Sequence, residues 1–147
     1  MEMVIKKFQE LTSIELYEIL KSRGEVFVVG QKILYNDVDG KDYRSWHLML
    51  KEENKIIGYL RIIQAGVSYE SVSIGRVLVI ESERKRQLGR KILNGAIDYI
   101  KNQLKEKEII ISAQFYLKRF YESLGFVAIT EMYIEEGIEH IKMKLEL

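Results

Sequence analysis

Two short apolar runs enclose one long amphipathic stretch, and no other feature of the chain restricts its fold as much. Residues 76–80 read RVLVI and residues 108–113 read EIIISA. The last four residues of the first run and the core of the second are apolar without alternation, which predicts strands buried on both faces. Between them Ile92, Leu93, Ala96, Ile97, Ile100 and Leu104 recur at helical spacing with polar residues in the gaps. That spacing predicts a helix of about four turns running from Leu88, with a single apolar stripe. Such a stripe must be covered, and the sheet formed by the flanking strands is the nearest cover. The prediction is a layered fold in which helices pack on a sheet.

The remaining segments extend that sheet. MVIKKF (3–8) alternates weakly and suits a first strand. Thr12 and Glu15 form a capping box ahead of Ile14, Leu16, Tyr17, Ile19 and Leu20, a helix running towards Phe27. Residues 31–45 are a polar surface loop with aspartates and a glycine. WHLMLK (46–51) and KIIGYLRII (55–63) predict an antiparallel hairpin, and VSIGRVLVI (72–80) pairs next. Tyr116, Leu117, Phe120, Tyr121 and Leu124 mark another helix, which Gly125 can end. FVAIT (126–130) and HIKMKLEL (140–147) complete the sheet. The order β α β β β α β α β β predicts an α/β (α+β) three-layer sandwich around a mixed sheet. Without repeats, linkers or a single proline, residues 1–147 read as one domain.

Composition narrows the function classes. The chain carries 23 basic and 22 acidic residues, so it lacks the cationic excess of a nucleic-acid binder, and no nucleic-acid partner is expected. It has no cysteine, which excludes disulfides, thiolate zinc sites and thiol nucleophiles; no metal is expected. The opening MEMVIKKFQE lacks the apolar core of a secretory signal, and no run approaches the roughly 18 apolar residues of a membrane span. A cytoplasmic protein without a membrane partner is the expectation. Asp37, Asp39 and Asp42 surround Gly40 and read chiefly as turn residues, although a cleft beside them would favour a cationic acceptor.

One local cluster stands apart. RKRQLGRK (84–91) falls where strand passes to helix. The first turn of a helix presents unpaired backbone amides and about half a positive charge. Arg84, Lys85, Arg86 and Arg90 add side-chain charge there, and Gly89 lets an anion approach the backbone. A solvated charge run would look the same, but this is the one place where the chain concentrates anion-binding capacity. Neither GxxxxGK[ST] nor GxGxxG is present, so a phosphate group is implied without a nucleotide-hydrolase loop or a dinucleotide fold.

The stretch RVLVIESERKRQLGRKIL (76–93) resembles the coenzyme A loop of the GCN5-related N-acetyltransferase (GNAT) family: Arg or Gln, two residues, Gly, one residue, then Gly or Ala. IIISAQFYLKRFYESLGF (109–126) is similar to the strand, helix and FYxxxGF signature of that family. LYEILKSRGEVFVVGQ (16–31), YNDVDGKD (35–42), His47, IGRV (74–77) and YIEEGIEHIKM (133–143) extend the resemblance to its ElaA-like subgroup.

The resemblance implies a mixed, mostly antiparallel central sheet flanked by helices. It implies an acetyl-CoA-dependent N-acetyltransferase that passes the acetyl group to a primary amine by direct attack in a ternary complex. The acceptor is a small-molecule amine or a peptide or protein amine. Leu78 and Val79 would bind the pantetheine arm; Arg84, Lys85, Arg86, Gln87, Leu88, Gly89 and Arg90 the pyrophosphate; and Gln114 and Tyr121 would complete the cofactor site. Tyr121 would act as general acid towards the departing thiolate. His47 is the candidate base, and Arg76, His140 and Gln31 are candidates for the acceptor side. Two positions depart from the pattern: Gln87 stands at the first glycine of the loop, and Gly30 where the subgroup has Glu. If position 87 needs a left-handed backbone, Gln costs roughly 1–2 kcal/mol there. These departures keep a second reading open, a non-catalytic acyl-CoA binding or sensor protein on the same fold. Exposed edge strands near the C-terminus suit a homodimer.

Overall fold

The computed structural model describes residues 1–80 and 87–147. Strands β1 (Glu2–Lys7), β2 (Ser45–Glu52), β3 (Lys55–Ile63) and β4 (Ser73–Val79) form an antiparallel sheet in that order. β5 (Glu108–Gln114), β6 (Val127–Ala128), β7 (Tyr133–Glu135) and β8 (Ile138–Glu146) form a second antiparallel sheet, in which β8 pairs with the other three. A parallel bridge between Val72 and Ile109 joins the two, with the Ile110 amide donating to the Val72 carbonyl at 3.1 Å. The expected mixed sheet is therefore two antiparallel halves meeting at one end of a parallel pair.

Helix α1 (Ser13–Arg23) begins at the predicted capping box: Thr12 Oγ1 accepts from the Glu15 amide at 3.1 Å, and Glu15 Oε1 accepts from the Thr12 amide at 2.9 Å. The helix does not simply continue to Phe27. From Gly24 to Val29 it widens to π-type turns, and the Gly30 amide reaches back five residues to Glu25 at 2.7 Å. Helix α2 (Leu88–Asn102) buries Leu88, Ile92, Leu93, Ala96 and Ile100, the stripe that the spacing predicts. Helix α3 (Lys118–Glu122) follows a 3-10 turn at Phe115–Leu117. Gly125 then takes φ +103°, a left-handed turn that only glycine adopts freely.

The core alternates about the first sheet, as strand geometry requires. Leu48, Leu50, Leu60 and Ile62 point towards α2 and meet Ile109, Ile111 and Met143 of the second sheet. Met49, Tyr59 and Leu78 point the other way, onto Ile19 of α1. This is the expected three-layer arrangement. No helix among the described residues is long and apolar enough to cross a membrane. The predicted strand at 126–130 shortens to Val127–Ala128, and β7 is an additional element. β7 turns into β8 through Glu136 and Gly137, both at positive φ (50° and 75°), the backbone of a tight primed hairpin.

Glu15 links the first layer to the sheet. Its carboxylate meets Lys6 Nζ at 3.0 Å and Lys51 Nζ at 2.9 Å, besides capping α1. Burial opposes its charge, but the Thr12 amide and the two ammonium groups outweigh burial and bring its pKa from 4.5 down to about 2. A depressed carboxylate stabilises the fold above its unfolded pKa and loses that contribution as pH falls towards the folded value. Glu15→Gln should therefore destabilise the protein by ~1–3 kcal/mol at neutral pH. Acid titration of its unfolding free energy should be flatter than the parent's between pH 4.5 and about 2.

Candidate functional site

The site begins at an irregularity in β4. Tyr59 pairs with Leu78 and Arg61 with Gly75, so Arg76 and Val77 together face Leu60. Arg76 accommodates the extra residue at φ +50°. A bulge of this kind bends its strand and increases the local twist, and beyond the Val72–Ile109 bridge β4 and β5 part company. Because Arg76 and Val77 share one level at the bulge, counting along each strand from that bridge brings Leu78 and Gln114 to the same level on opposite sides of the opening. Leu78 and Val79 form its β4 lip.

The N-terminus of α2 lies where β4 leads. The amides of Leu88, Gly89 and Arg90 have no carbonyl before them in the helix, whereas the Lys91 amide donates to the Gln87 carbonyl at 3.3 Å. Gln87, the residue before the helix, has φ 57° and ψ 25°; the position does require a left-handed backbone. A Cβ at Gly89 would meet only Phe120 Cζ, at 3.9 Å, so the backbone there is open to a ligand. Arg90 is already engaged: its guanidinium lies over the Phe120 ring at 5.3 Å and donates to Ser123 Oγ at 3.0 Å. Arg84, Lys85 and Arg86 lie outside the described residues. Amides without a helical partner among the described residues, an open backbone at Gly89 and a splayed strand pair suit an acyl-CoA, with its pyrophosphate at the helix end and its arm between the strands.

Phe120 brings α3 against this helix end, and Tyr121 is its neighbour. Tyr121 is 7% exposed and packs edge-on against Phe120 and Phe126, with ring centroids 5.4 and 5.7 Å away. Its hydroxyl makes no hydrogen bond among the described residues. Burial, with a smaller effect from Tyr116, pushes the phenol up to about 12.

The loop before β2 differs most from expectation. Arg23 is fully buried and donates from Nε to Asp37 Oδ2 (2.9 Å), from one terminal nitrogen to Asp42 Oδ1 (2.6 Å) and from the other to the Asp37 carbonyl (2.7 Å). Arg61, 2% exposed, holds Asp39 at 2.8 and 2.6 Å and Asp42 at 3.0 Å. Arg76 ion-pairs with Asp37 at 2.8 Å and with Asp39 at 3.4 Å, its guanidinium lying 5.3 Å from the centre of the Tyr35 ring. Only Asp39 also serves the turn, accepting from the Lys41 amide at 3.0 Å. Asp37 and Asp42 are thus not plain turn residues, and the three aspartates are matched by three arginines rather than reserved for a cationic acceptor. Although burial opposes the charge of Asp42, Arg23 and Arg61 hold its carboxyl below the ordinary range.

His47 sits beneath this network at 1% exposure. Its Nε2–H donates to the Asp42 carbonyl at 2.9 Å, and the Tyr59 hydroxyl donates to Nδ1 at 2.6 Å. Desolvation lowers its pKa and keeps it neutral. Both nitrogens are occupied, so the expectation of a base at His47 is corrected to a structural role. Gln31 is half-buried just past the widened turns. At Gly30 a Cβ would lie 2.8 Å from the Val26 carbonyl oxygen and 2.9 Å from that of Glu25, so this backbone excludes the glutamate of the subgroup pattern.

Across the opening, Gln114 pairs with His140 on β8. His140 is 8% exposed; Nδ1–H donates to the Ile138 carbonyl at 2.8 Å, and Nε2 lies 3.6 Å from Glu135 Oε2. The ring stacks on Tyr133 at 6.2 Å. Ser112 hydrogen-bonds the Tyr133 hydroxyl, and Lys142 Nζ lies over the Tyr69 and Tyr133 rings at 5.4 and 5.8 Å. Sequence reasoning missed Ser112, Tyr133, Glu135 and Lys142. The alternation of β8, which puts His140 and Lys142 on one face, was the available signal.

Comparison with known proteins agrees with this geometry. The model of the acetyltransferase (GNAT) domain matches residues 18–147. Protein ElaA of Escherichia coli is 35% identical over 140 residues, covering 94% of this chain and 92% of ElaA. Its crystal structure superposes with a TM-score of 0.92 at 34% identity, covering 99% of this chain and 100% of that one. An acyl-CoA N-acyltransferase from Pseudomonas aeruginosa gives a TM-score of 0.93 at 35% identity, covering 99% of each chain. A UPF0039 protein of Schizosaccharomyces pombe is 40% identical across 100% of this chain and 98% of its own.

Two stability measurements test the geometry. Gln87→Gly relieves the left-handed backbone and should stabilise the protein by ~1 kcal/mol. Arg23→Met leaves two buried carboxylates short of a partner and should cost about 3–5 kcal/mol. Both are read from denaturant unfolding.

Proposed function

This chain belongs to the GNAT acetyltransferase family, in its ElaA-like subgroup, and on that footing we propose that it transfers an acetyl group from acetyl-CoA to a primary amine by direct attack. The observation that carries the proposal is the opening between β4 and β5, with the Arg76 bulge at one end and, at the other, the first amides of α2, which have no helical partner among the described residues, and Tyr121 close by. The fold and the family support acyl transfer in general; acetyl as the group and an amine as the acceptor are our reading.

Bound acetyl-CoA supplies an activated thioester. The amides of Leu88, Gly89 and Arg90 bind its pyrophosphate with the helix dipole behind them. The backbone of Leu78 and Val79 orients the arm along the β4 lip. Tyr121 excludes water through its packing with Phe120 and Phe126, and burial keeps its phenol protonated at working pH. It is thereby able to donate to the sulfur as the C–S bond breaks. Arg76, Gln31 and His140 stand on the acceptor side, where a small-molecule or peptide amine would enter.

Gln87 favours one alternative. Its left-handed backbone places a side chain, rather than a glycine, at the edge of the pyrophosphate site, as would suit a protein that binds acyl-CoA without turning it over. Thiol release on mixing with acetyl-CoA and an amine panel separates the two readings. For the transferase, Tyr121→Phe should lower kcat roughly 100-fold while calorimetric titration shows acetyl-CoA affinity little changed. Parallel loss of affinity and turnover would contradict the role of acid.

A further inference from the structure

An attacking amine must lose a proton, and the carboxylates nearest the β4 bulge are poor recipients. Asp37, Asp39 and Asp42 are each held by arginines, and His47 has both ring nitrogens engaged. Resting on the transfer reading above, we propose that His140, supported by Glu135, is the base that accepts the proton of the acceptor amine.

Position comes first. The register from Val72–Ile109, with the bulge counted, puts Leu78 of β4 level with Gln114 of β5, and Gln114 is paired with His140 one strand further on. His140 is therefore one strand spacing, about 5 Å, beyond the β5 edge of the opening, at the depth where the β4 lip begins. The gap between the strands and the imidazole share one level of the fold.

Protonation state comes second. A carbonyl only accepts, so the 2.8 Å contact with Ile138 fixes the proton of neutral His140 on Nδ1. Nε2 then carries the lone pair and has no hydrogen-bond donor within reach among the described residues. Glu135 Oε2 lies 3.6 Å from it, too far for a hydrogen bond and close enough to form one with a small shift once Nε2 is protonated. The charged and titratable groups around it are Glu135 and Tyr133 of β7, Lys142 of β8 and, beyond it, Tyr69. Tyr133 fixes the plane of the ring by stacking and is itself tied to Ser112.

The proton count closes. The ammonium of the acceptor gives one proton to Nε2, which passes it to bulk water past the exposed Glu135. The freed lone pair forms the C–N bond to the acyl carbon. The C–S bond then breaks with its electron pair on sulfur, which takes a proton from Tyr121. A second proton leaves the nitrogen and restores Tyr121, and the product is a neutral amide.

The test combines kinetics, binding and spectroscopy on the full chain with acetyl-CoA and a primary amine that the parent acetylates. In the parent, kcat/KM should rise with pH along an acid limb. His140→Asn, whose amide can still donate to the Ile138 carbonyl, should lose that limb and about 100-fold in kcat/KM near neutrality, with coenzyme A affinity by calorimetry and the unfolding midpoint unchanged. Glu135→Gln, at an exposed position, should displace the limb to lower pH. Long-range proton–nitrogen correlation spectra of the free protein should find neutral His140 protonated at Nδ1.

A parent-like profile in His140→Asn, or a neutral tautomer protonated at Nε2, overturns the base and leaves the transferase standing. If His140→Asn does not fold, an unmoved limb in Glu135→Gln overturns it equally. A parent that binds acetyl-CoA but acetylates no amine overturns the transfer reading, and the base with it.

Discussion

The guanidinium of Arg23 ties together three parts of the chain that share no sequence neighbourhood. It closes the end of α1 onto Asp37 and Asp42, and Asp42 in turn holds Arg61 in the middle of β3. Arg76, on the β4 bulge, completes the circuit through Asp37 and Asp39. A buried charge is tolerable only with its partners in place, so none of these groups can move alone. The loop before β2 is fixed to the sheet by this network rather than by apolar packing. Its exposed Leu34 and Val38 contribute little to holding it.

That fixation bears directly on the opening between β4 and β5. Arg76 occupies a left-handed backbone that an L-residue adopts at a cost of about 1–2 kcal/mol, and its side chain is retained by two aspartates and the Tyr35 ring. The network thus offsets the strain that turns β4 away from β5. Gln87, at the other end of the same opening, takes a similar backbone without a side-chain cap. Strain of this kind concentrates where a fold is shaped around a ligand. Here it marks both ends of the acyl-CoA site proposed above, with ion pairs to two aspartates at Arg76 and no side-chain cap at Gln87.

Much of this was legible in the sequence, and what was not has a common cause. The stripe from Ile92 to Ile100 and the capping box at Thr12 are local, periodic signals, and the structure reproduces both. The family motifs pointed to the α2 end and to Tyr121. The arginine–aspartate network left no period, because its partners lie 14 to 39 residues apart. Its visible traces were the arginines set in apolar strands, Arg61 in KIIGYLRII and Arg76 in IGRVLVI. The β7–β8 turn escaped notice because Glu136 stands where Asn or Asp commonly takes positive φ. A central strand position made His47 attractive as a base, yet that centrality is what buried it and engaged both its nitrogens.

The two sheets divide the titratable groups unequally. On the first, each carboxylate near the bulge faces an arginine and the set is neutral, so changes of pH near neutrality find nothing there to protonate. On the second, Glu135 is half exposed and, among the described residues, Nε2 of His140 meets no donor and Lys142 rests on aromatic faces instead of a carboxylate. Charge on that side can change without breaking a buried pair. The amine transfer proposed above, in which an ammonium enters, an amide leaves and a proton is shed in each cycle, would use one wall of each kind. The rigid wall keeps the β4 lip in register, and the responsive wall accommodates the change of charge.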